Sequence, residues 1–253
     1  MHLERKRRLL HPAATLAWVL LATGSAAAAP LAVLELFTSQ GCASCPPADA
    51  LFEDYAEGGE VIALSLSVDY WDYLGWTDTL ALPENTERQH DYATALGDGT
   101  VYTPQVIVNG RRQVVGSDKA AIDAAIAELA AADEGVPVPV EIGYDPEHIV
   151  VRVGEAPAAA VPATIWLVFF TADAEVAVER GENAGATLGY YNVVRAMQAI
   201  GTWWGRPMTI EVPLSEIERH GADGCAALVQ AEAGGLPGPI LGAGIARIDP
   251  ARW

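Results

Sequence analysis

Two cysteines separated by two residues, Cys42-Ala43-Ser44-Cys45, stand between an apolar run and a helix-forming stretch, and no other segment restricts the fold as strongly. Residues 31–37, Leu-Ala-Val-Leu-Glu-Leu-Phe, read as a mostly buried strand. Thr38 to Gly41 form a short loop. A helix is expected over 48–56, with Ala50, Leu51 and Tyr55 on one face, and Gly58-Gly59 stops it. A cysteine at or near a helix N-terminus has unpaired N–H groups and the helix dipole beside it, and both favour the thiolate. Cys42 is therefore the expected attacking sulfur and Cys45 the resolving one. Pro46-Pro47 follow at once, and proline is comfortable only in the first helical turn. The helix is thus expected to begin near Cys45, with Cys42 just ahead of it.

The elements beyond the motif follow from periodicity and turn chemistry. A second strand is expected over 61–68, then an aromatic-rich stretch with Tyr70, Trp71, Tyr73 and Trp76. A helix over 84–96 ends at Gly97 and Gly99. After Thr103-Pro104 comes a short strand, 105–108. Asn109-Gly110 is a strong hairpin signal, and 112–115 is its partner strand. Ser117 or Asp118 caps a helix running to about Ala132, with Ile122, Ile126 and Leu129 at helical spacing. The order βαβαββα fits a mixed sheet with helices on both faces.

Composition shifts at Gly135. Beyond it come short alternating segments at 138–143, 148–153, 163–170, 174–179, 207–212, 224–231 and 239–248, separated by Gly-, Pro- and Asp-rich turns. That pattern predicts a β-rich, sandwich-like C-terminal domain over 136–253. Residues 190–200 fit either strand or short helix.

The first 29 residues read as a signal peptide. Arg5, Lys6, Arg7 and Arg8 precede an apolar run from Ala13 to Leu21 and a small-residue stretch, with cleavage expected near Ala28 or Ala29. The alternative is an uncleaved anchor, but the run is shorter than the ~20 residues that span a bilayer. Removing the leader takes four basic residues and one acidic residue from 15 Lys/Arg and 33 Asp/Glu, which leaves a net charge of −21. A surface that acidic repels nucleic acid and anionic lipid. Neither a nucleic-acid partner nor stable membrane insertion after cleavage is expected.

Only three cysteines are present, so this is no disulfide-stapled scaffold. One half of a zinc site is a competing reading, but no second CxxC or His pair completes it. A purely structural bridge is another, although closing a two-residue loop removes little chain entropy. Cys225 is read as a small buried hydrophobe in a strand, against a third redox cysteine meeting the pair. The run Asp69-Tyr70-Trp71-Asp72-Tyr73, with Trp76, either lines a groove by the cysteines or packs on the sheet. His90, His148 and His220 have no partner at metal-ligand spacing, and no metal site is expected.

The segment Thr103-Pro104-Gln-Val-Ile-Val-Asn109-Gly110 resembles the cis-proline strand and hairpin of the thioredoxin superfamily. The resemblance covers roughly residues 31–132 and implies a thioredoxin-like fold. Carried over, it makes Pro104 cis and places the Thr103 backbone beside Cys42, where a substrate chain would pair. More narrowly, residues 34–49 and Val101-Tyr-Thr-Pro-Gln105 resemble a secreted bacterial family classed as domain of unknown function 1223 within that superfamily. Two departures stand out. Leu36 occupies the position of the buried acid of thioredoxins, while Glu35 should point to the opposite face. Gly41 stands where the usual tryptophan precedes the motif.

The expected domains are a leader over 1–29, a thioredoxin-like domain over 30–135 and the β-rich domain over 136–253. The expected function is that of a periplasmic or secreted thiol–disulfide oxidoreductase. Cys42 and Cys45 are its catalytic pair, Thr103 and Pro104 position the partner, and protein thiols or disulfides are its substrates. No cofactor is needed, because the cysteines carry the electrons. Two alternatives stand beside it. One is a binding protein with a structural disulfide or a copper-type site, since thiolates select copper. The other makes the C-terminal domain the functional part.

Overall fold

The computed structural model describes residues 30–97, 99–156 and 161–248, and the leader expected over 1–29 lies outside them. The first half follows the expected order: β1 (Val33–Thr38), α1 (Pro46–Gly58), β2 (Ile62–Ser67), α2 (Pro83–Leu96), β3 (Gln105–Val108), β4 (Arg112–Val115) and α3 (Lys119–Ala131). A single 3₁₀ turn, Asp72–Leu74, lies within the aromatic stretch. Strand β1 runs parallel to β2 and antiparallel to β3, which pairs antiparallel with β4.

Local chemistry sets the ends of these elements. Cys45 is the N-cap of α1, so the helix starts at Pro46, where a missing N–H costs nothing. Gly59 closes it at φ +70°. Asp118 caps α3 by accepting the Ala121 N–H at 3.0 Å. Asn109 (φ 52°) and Gly110 (φ 64°) turn the β3–β4 hairpin, both in the left-handed region that a type I′ turn demands. On α1 the buried face is Ala48, Asp49 and Phe52; Ala50, expected inward, is exposed. The helix starts at the prolines, next to Cys45 as they imply and two residues ahead of the 48–56 stretch.

The second half comprises β5 (Val138–Tyr144), β6 (His148–Val153), β7 (Ala163–Ala177), β8 (Thr187–Trp203), β9 (Met208–Pro213), α4 (Ser215–Arg219), β10 (Gly224–Ala233) and β11 (Leu236–Arg247). Two expected strands, 163–170 and 174–179, are one 15-residue strand, β7. Inward and outward residues keep alternating through Thr171, Ala172 and Asp173, and pairing with β8 continues to Ala177 across register shifts at Ile165/Trp166 and Phe169/Phe170. The open segment 190–200 is strand, the middle of β8. The short helix α4 has no counterpart in the sequence reading.

One mixed sheet of eleven strands runs through both halves in the order β4-β3-β1-β2-β8-β7-β10-β11-β5-β6-β9. The expected boundary at residues 135–136 falls between α3 and β5. The sheet crosses the halves at Ser65↔Val193, between β2 and β8. Asn192 locks this joint: its side chain donates to the Ala63 carbonyl at 2.9 Å and accepts from Arg247 at 3.3 Å. Helices α1 and α3 cover one face of the first four strands, over Leu34, Leu36, Phe52, Val106 and Ile122. Helix α2 covers the other face, and Tyr92 there packs in a core shared with Phe170, Leu228 and Ile240 of the second half. Strands β5, β6 and β9 fold over the far face of β7 and β10, burying Ile149, Val151, Phe169, Cys225 and Val229 between them. Among the described residues no helix is long and apolar enough to cross a membrane.

Candidate functional site

Cys42 and Cys45 face each other where β1 hands over to α1, with sulfurs at bonding distance and Cα atoms 5.4 Å apart. Two successive turns build this. The Cys42 N–H donates to the Ser39 carbonyl at 3.1 Å, and the Cys45 N–H donates to the Cys42 carbonyl at 3.2 Å. Cys42 is 2% exposed and Cys45 fully buried, whereas Ala43 and Ser44 between them are exposed.

The helix start supplies less to a thiolate than the sequence motif alone suggests. Pro46 and Pro47 carry no N–H, and the next two N–H groups, Ala48 and Asp49, both go to the Cys45 carbonyl, at 2.8 and 3.1 Å. The polar neighbour of the Cys42 sulfur is the Ser44 hydroxyl, at 3.4 Å. The same hydroxyl donates to the Thr103 carbonyl at 3.3 Å. Thr103 is thereby tied to the motif, and the Thr103–Pro104 bond is cis. The Pro104 carbonyl accepts the Gly116 N–H at 2.9 Å. A Cβ on Gly116 would stand 2.8 Å from Leu36 Cδ1 and 3.0 Å from Pro104 Cβ, so a side chain there requires these neighbours to shift. The structure thus brings together all four residues singled out from sequence: Cys42, Cys45, Thr103 and Pro104.

The aromatic stretch closes the site. The Trp71 indole N–H donates to the Thr103 hydroxyl at 2.8 Å, and the Trp76 indole N–H donates to the Gln40 side-chain oxygen at 2.8 Å. Gly41 is a glycine for this reason: a Cβ there would meet Trp71 Cβ at 3.0 Å and its carbonyl at 3.3 Å. Tyr73, by contrast, is exposed.

Four residues absent from the sequence reading complete the environment. Asp49, on α1, is buried, and its Oδ1 accepts from the Thr38 hydroxyl at 2.6 Å. Burial pushes its carboxyl up to about 8; the Thr38 bond opposes this and the Asp78 carboxylate adds to it. Asp78 accepts the N–H groups of Gln40 (2.7 Å) and Leu80 (2.8 Å), and burial raises its carboxyl too. The Tyr190 hydroxyl, on β8, is buried near both carboxylates, and burial with those charges disfavours its ionisation. Asp49 Oδ2 and the Tyr190 hydroxyl have no hydrogen-bond partner among the described residues. Asn183, between β7 and β8, donates to the carbonyls of Gln40 (2.9 Å) and Cys42 (3.0 Å). Of these only Asp49 left a trace in the sequence, an acid four residues beyond Cys45.

Strand alternation sends Glu35 to the α2 face and Leu36 to the α1–α3 core, as expected. Glu35 binds Arg88 Nε at 2.7 Å and accepts from Tyr92, and Gln230 of β10 bonds both Arg88 and Tyr92. This network staples the two halves and lies outside the cysteine site. Cys225 is buried in the separate core between β5–β6 and β7–β10. Its sulfur is 3.3 Å from the Tyr144 hydroxyl, and burial pushes its thiol up to about 11. Among the described residues no group of three or more His, Cys, Asp or Glu side chains is placed to hold a metal ion.

Fold and site together define a mixed α/β protein with a cysteine pair enclosed at the C-terminal end of a central strand. The chain belongs to the family described as protein of unknown function DUF1223, whose model matches residues 33–230. It is similar to a crystal structure of a protein from Agrobacterium tumefaciens, at 40% identity over 88% of this chain and 96% of that one, with a TM-score of 0.80. No curated protein matches the sequence.

Proposed function

We propose that the chain is an exported, thioredoxin-like protein that exchanges disulfides through Cys42 and Cys45. The observation that carries the reading is the cysteine pair at a strand-to-helix turn, tied through Ser44 to Thr103 ahead of a cis proline. The first-half strand order β4-β3-β1-β2, with α1 and α3 on one face and α2 on the other, supports the thioredoxin-like assignment. The basic and apolar leader, ending in alanines, supports export to the periplasm or beyond.

In the oxidising direction a substrate thiolate attacks Cys42 Sγ. The Cys42–Cys45 bond breaks, a mixed disulfide forms on Cys42, and Cys45 leaves with the electron pair. Asp49 sits one turn along α1 from Cys45, on the same side of the helix, with its N–H on the Cys45 carbonyl. With its carboxyl pushed up to about 8, Asp49 holds a proton at neutral pH and gives it to the departing Cys45 thiolate. A second substrate thiolate then attacks the substrate sulfur of the mixed disulfide, releasing Cys42 as thiolate and the substrate as a disulfide. Two electrons pass from substrate to protein. Reduction of a substrate disulfide runs the same steps backwards, with Asp49 taking the Cys45 proton.

The test is turnover. Mature protein should catalyse insulin reduction or the oxidation of a dithiol peptide, and Cys42→Ser should abolish it. Equal activity in the variant overturns the proposal.

A further inference from the structure

The cysteine site is covered by a segment of the second half. Asn183 spends both hydrogens of its side-chain amide on the loop that carries the attacking cysteine, one on the Gln40 carbonyl at 2.9 Å and one on the Cys42 carbonyl at 3.0 Å. The segment is packed at its neck and exposed at its tip. At the neck, Val178, Leu188 and Tyr190 pack with Trp76 and Leu80. Gly181, at φ +81°, brings its backbone so close that a Cβ would stand 3.1 Å from Trp76 Cβ. At the tip, Glu182, Ala184 and Gly185 flank Asn183 and are exposed.

Three backbone carbonyls belong to the cysteine loop and the segment ahead of the cis proline, those of Gln40, Cys42 and Thr103. Each accepts from a side chain of the protein itself: Asn183 for the first two and Ser44 for the third. Opening the site to an incoming sulfur strips these acceptors of their donors. A reductant with no N–H groups leaves them unpaired, and an unpaired acceptor at a closed surface is costly. An extended polypeptide replaces the lost donors with its own backbone N–H groups, so the exchange is close to balanced.

We infer that Asn183 is a specificity-determining residue, which closes Cys42 to small thiols and yields to an extended polypeptide whose backbone N–H groups take over the Gln40 and Cys42 carbonyls. The inference rests on the thiol–disulfide reading of the same site.

The test compares two reductants of the oxidised mature protein, dithiothreitol and an extended peptide with two cysteines. Both carry two thiols, so each becomes a disulfide as Cys42 and Cys45 become thiols. Quenching with an alkylating agent and counting modified thiols by mass gives the rates. Asn183→Ala should raise the dithiothreitol rate about tenfold, the scale of one or two lost hydrogen bonds, while changing the peptide rate much less. The preference for peptide should collapse accordingly. Asn183→Asp keeps the size, removes the donors and should behave alike, so the comparison survives a folding defect in either variant. Unchanged rates with both reductants, or the same rise with both, overturn the inference. The rates are stoichiometric and need no turnover. A failure of the oxidoreductase reading would appear in the insulin assay while the Asn183 effect persisted.

Discussion

Asp49 follows Cys45 by one helical turn, with its N–H on the Cys45 carbonyl at 3.1 Å and its carboxyl held by the Thr38 hydroxyl at 2.6 Å. Both residues are buried, and the second carboxylate oxygen has no partner among the described residues. A lone buried carboxylate with one hydrogen bond favours its protonated form, and the nearby Asp78 strengthens that preference.

This gives a pH signature. The Asp49 carboxyl is raised from 3.8 to about 8 in the folded chain, so the folded protein binds more protons than the unfolded chain across that window. Stability from this group is fully present below pH 4 and falls as pH rises towards 8. Asp49→Asn should flatten the profile, gaining on wild type by up to ~1.4 kcal/mol per pH unit. Urea denaturation of the oxidised protein at pH 4, 6 and 8 measures it, and parallel profiles would contradict the assignment. The same variant should slow release of Cys45 in single-turnover exchange at neutral pH.

The staple between the halves has a different signature. Arg88→Met leaves Glu35 buried without its cation and should cost about 3–5 kcal/mol in urea denaturation. Adding Glu35→Gln should recover a large part, because a neutral amide no longer demands a counter-charge. A double variant as unstable as the single would mean that Arg88 matters through packing alone.

The fit of Trp71 over Gly41 predicts a local cost. Gly41→Ala places a methyl 3.0 Å from Trp71 Cβ and should destabilise the oxidised protein by about 1–3 kcal/mol. Trp71→Phe, which removes the indole bond to Thr103, should cost about 1 kcal/mol. Thermal melts compare the two. A neutral Gly41→Ala would show that Trp71 moves aside freely.

Cys225 should be chemically silent. It is fully buried, and its thiol is pushed up to about 11. In the native, fully reduced protein at pH 8, a thiol reagent should leave Cys225 unmodified until urea unfolds the chain. Cys225→Ala should keep the exchange activity, and loss of activity would bring the third cysteine back into the mechanism.

Much of the first half is legible in the sequence because its signals are local. Pro46-Pro47 mark the start of α1, Asn109-Gly110 turn a hairpin, and Asp118 caps α3. The strands of the second half are visible as alternating runs, but their joining is not. The Ser65↔Val193 and Gly242↔Val138 pairings link residues far apart, and no local pattern encodes them. Within the site, the cysteines and Thr103-Pro104 carry motif signals. Asp49 has the right spacing from Cys45, yet an acid on an exposed helical face looks the same in sequence, and only the packing of α1 against the sheet, between Thr38 of β1 and Tyr190 of β8, buries it. Asn183 sits in a polar, glycine-rich turn that reads as surface, 141 residues from the cysteine whose carbonyl it holds.

The central claim is that Cys42 and Cys45 form an exchanging pair, and their reduction potential tests it most directly. Equilibrating the mature protein across dithiothreitol and glutathione buffers, then counting free thiols by mass, should give a reversible two-electron transition. A bridge closing only two residues gains little from chain entropy, so the potential should lie above about −300 mV, where exchange proteins operate. A potential below that, with no turnover of insulin or dithiol peptide, would make the pair a structural bridge and contradict the account.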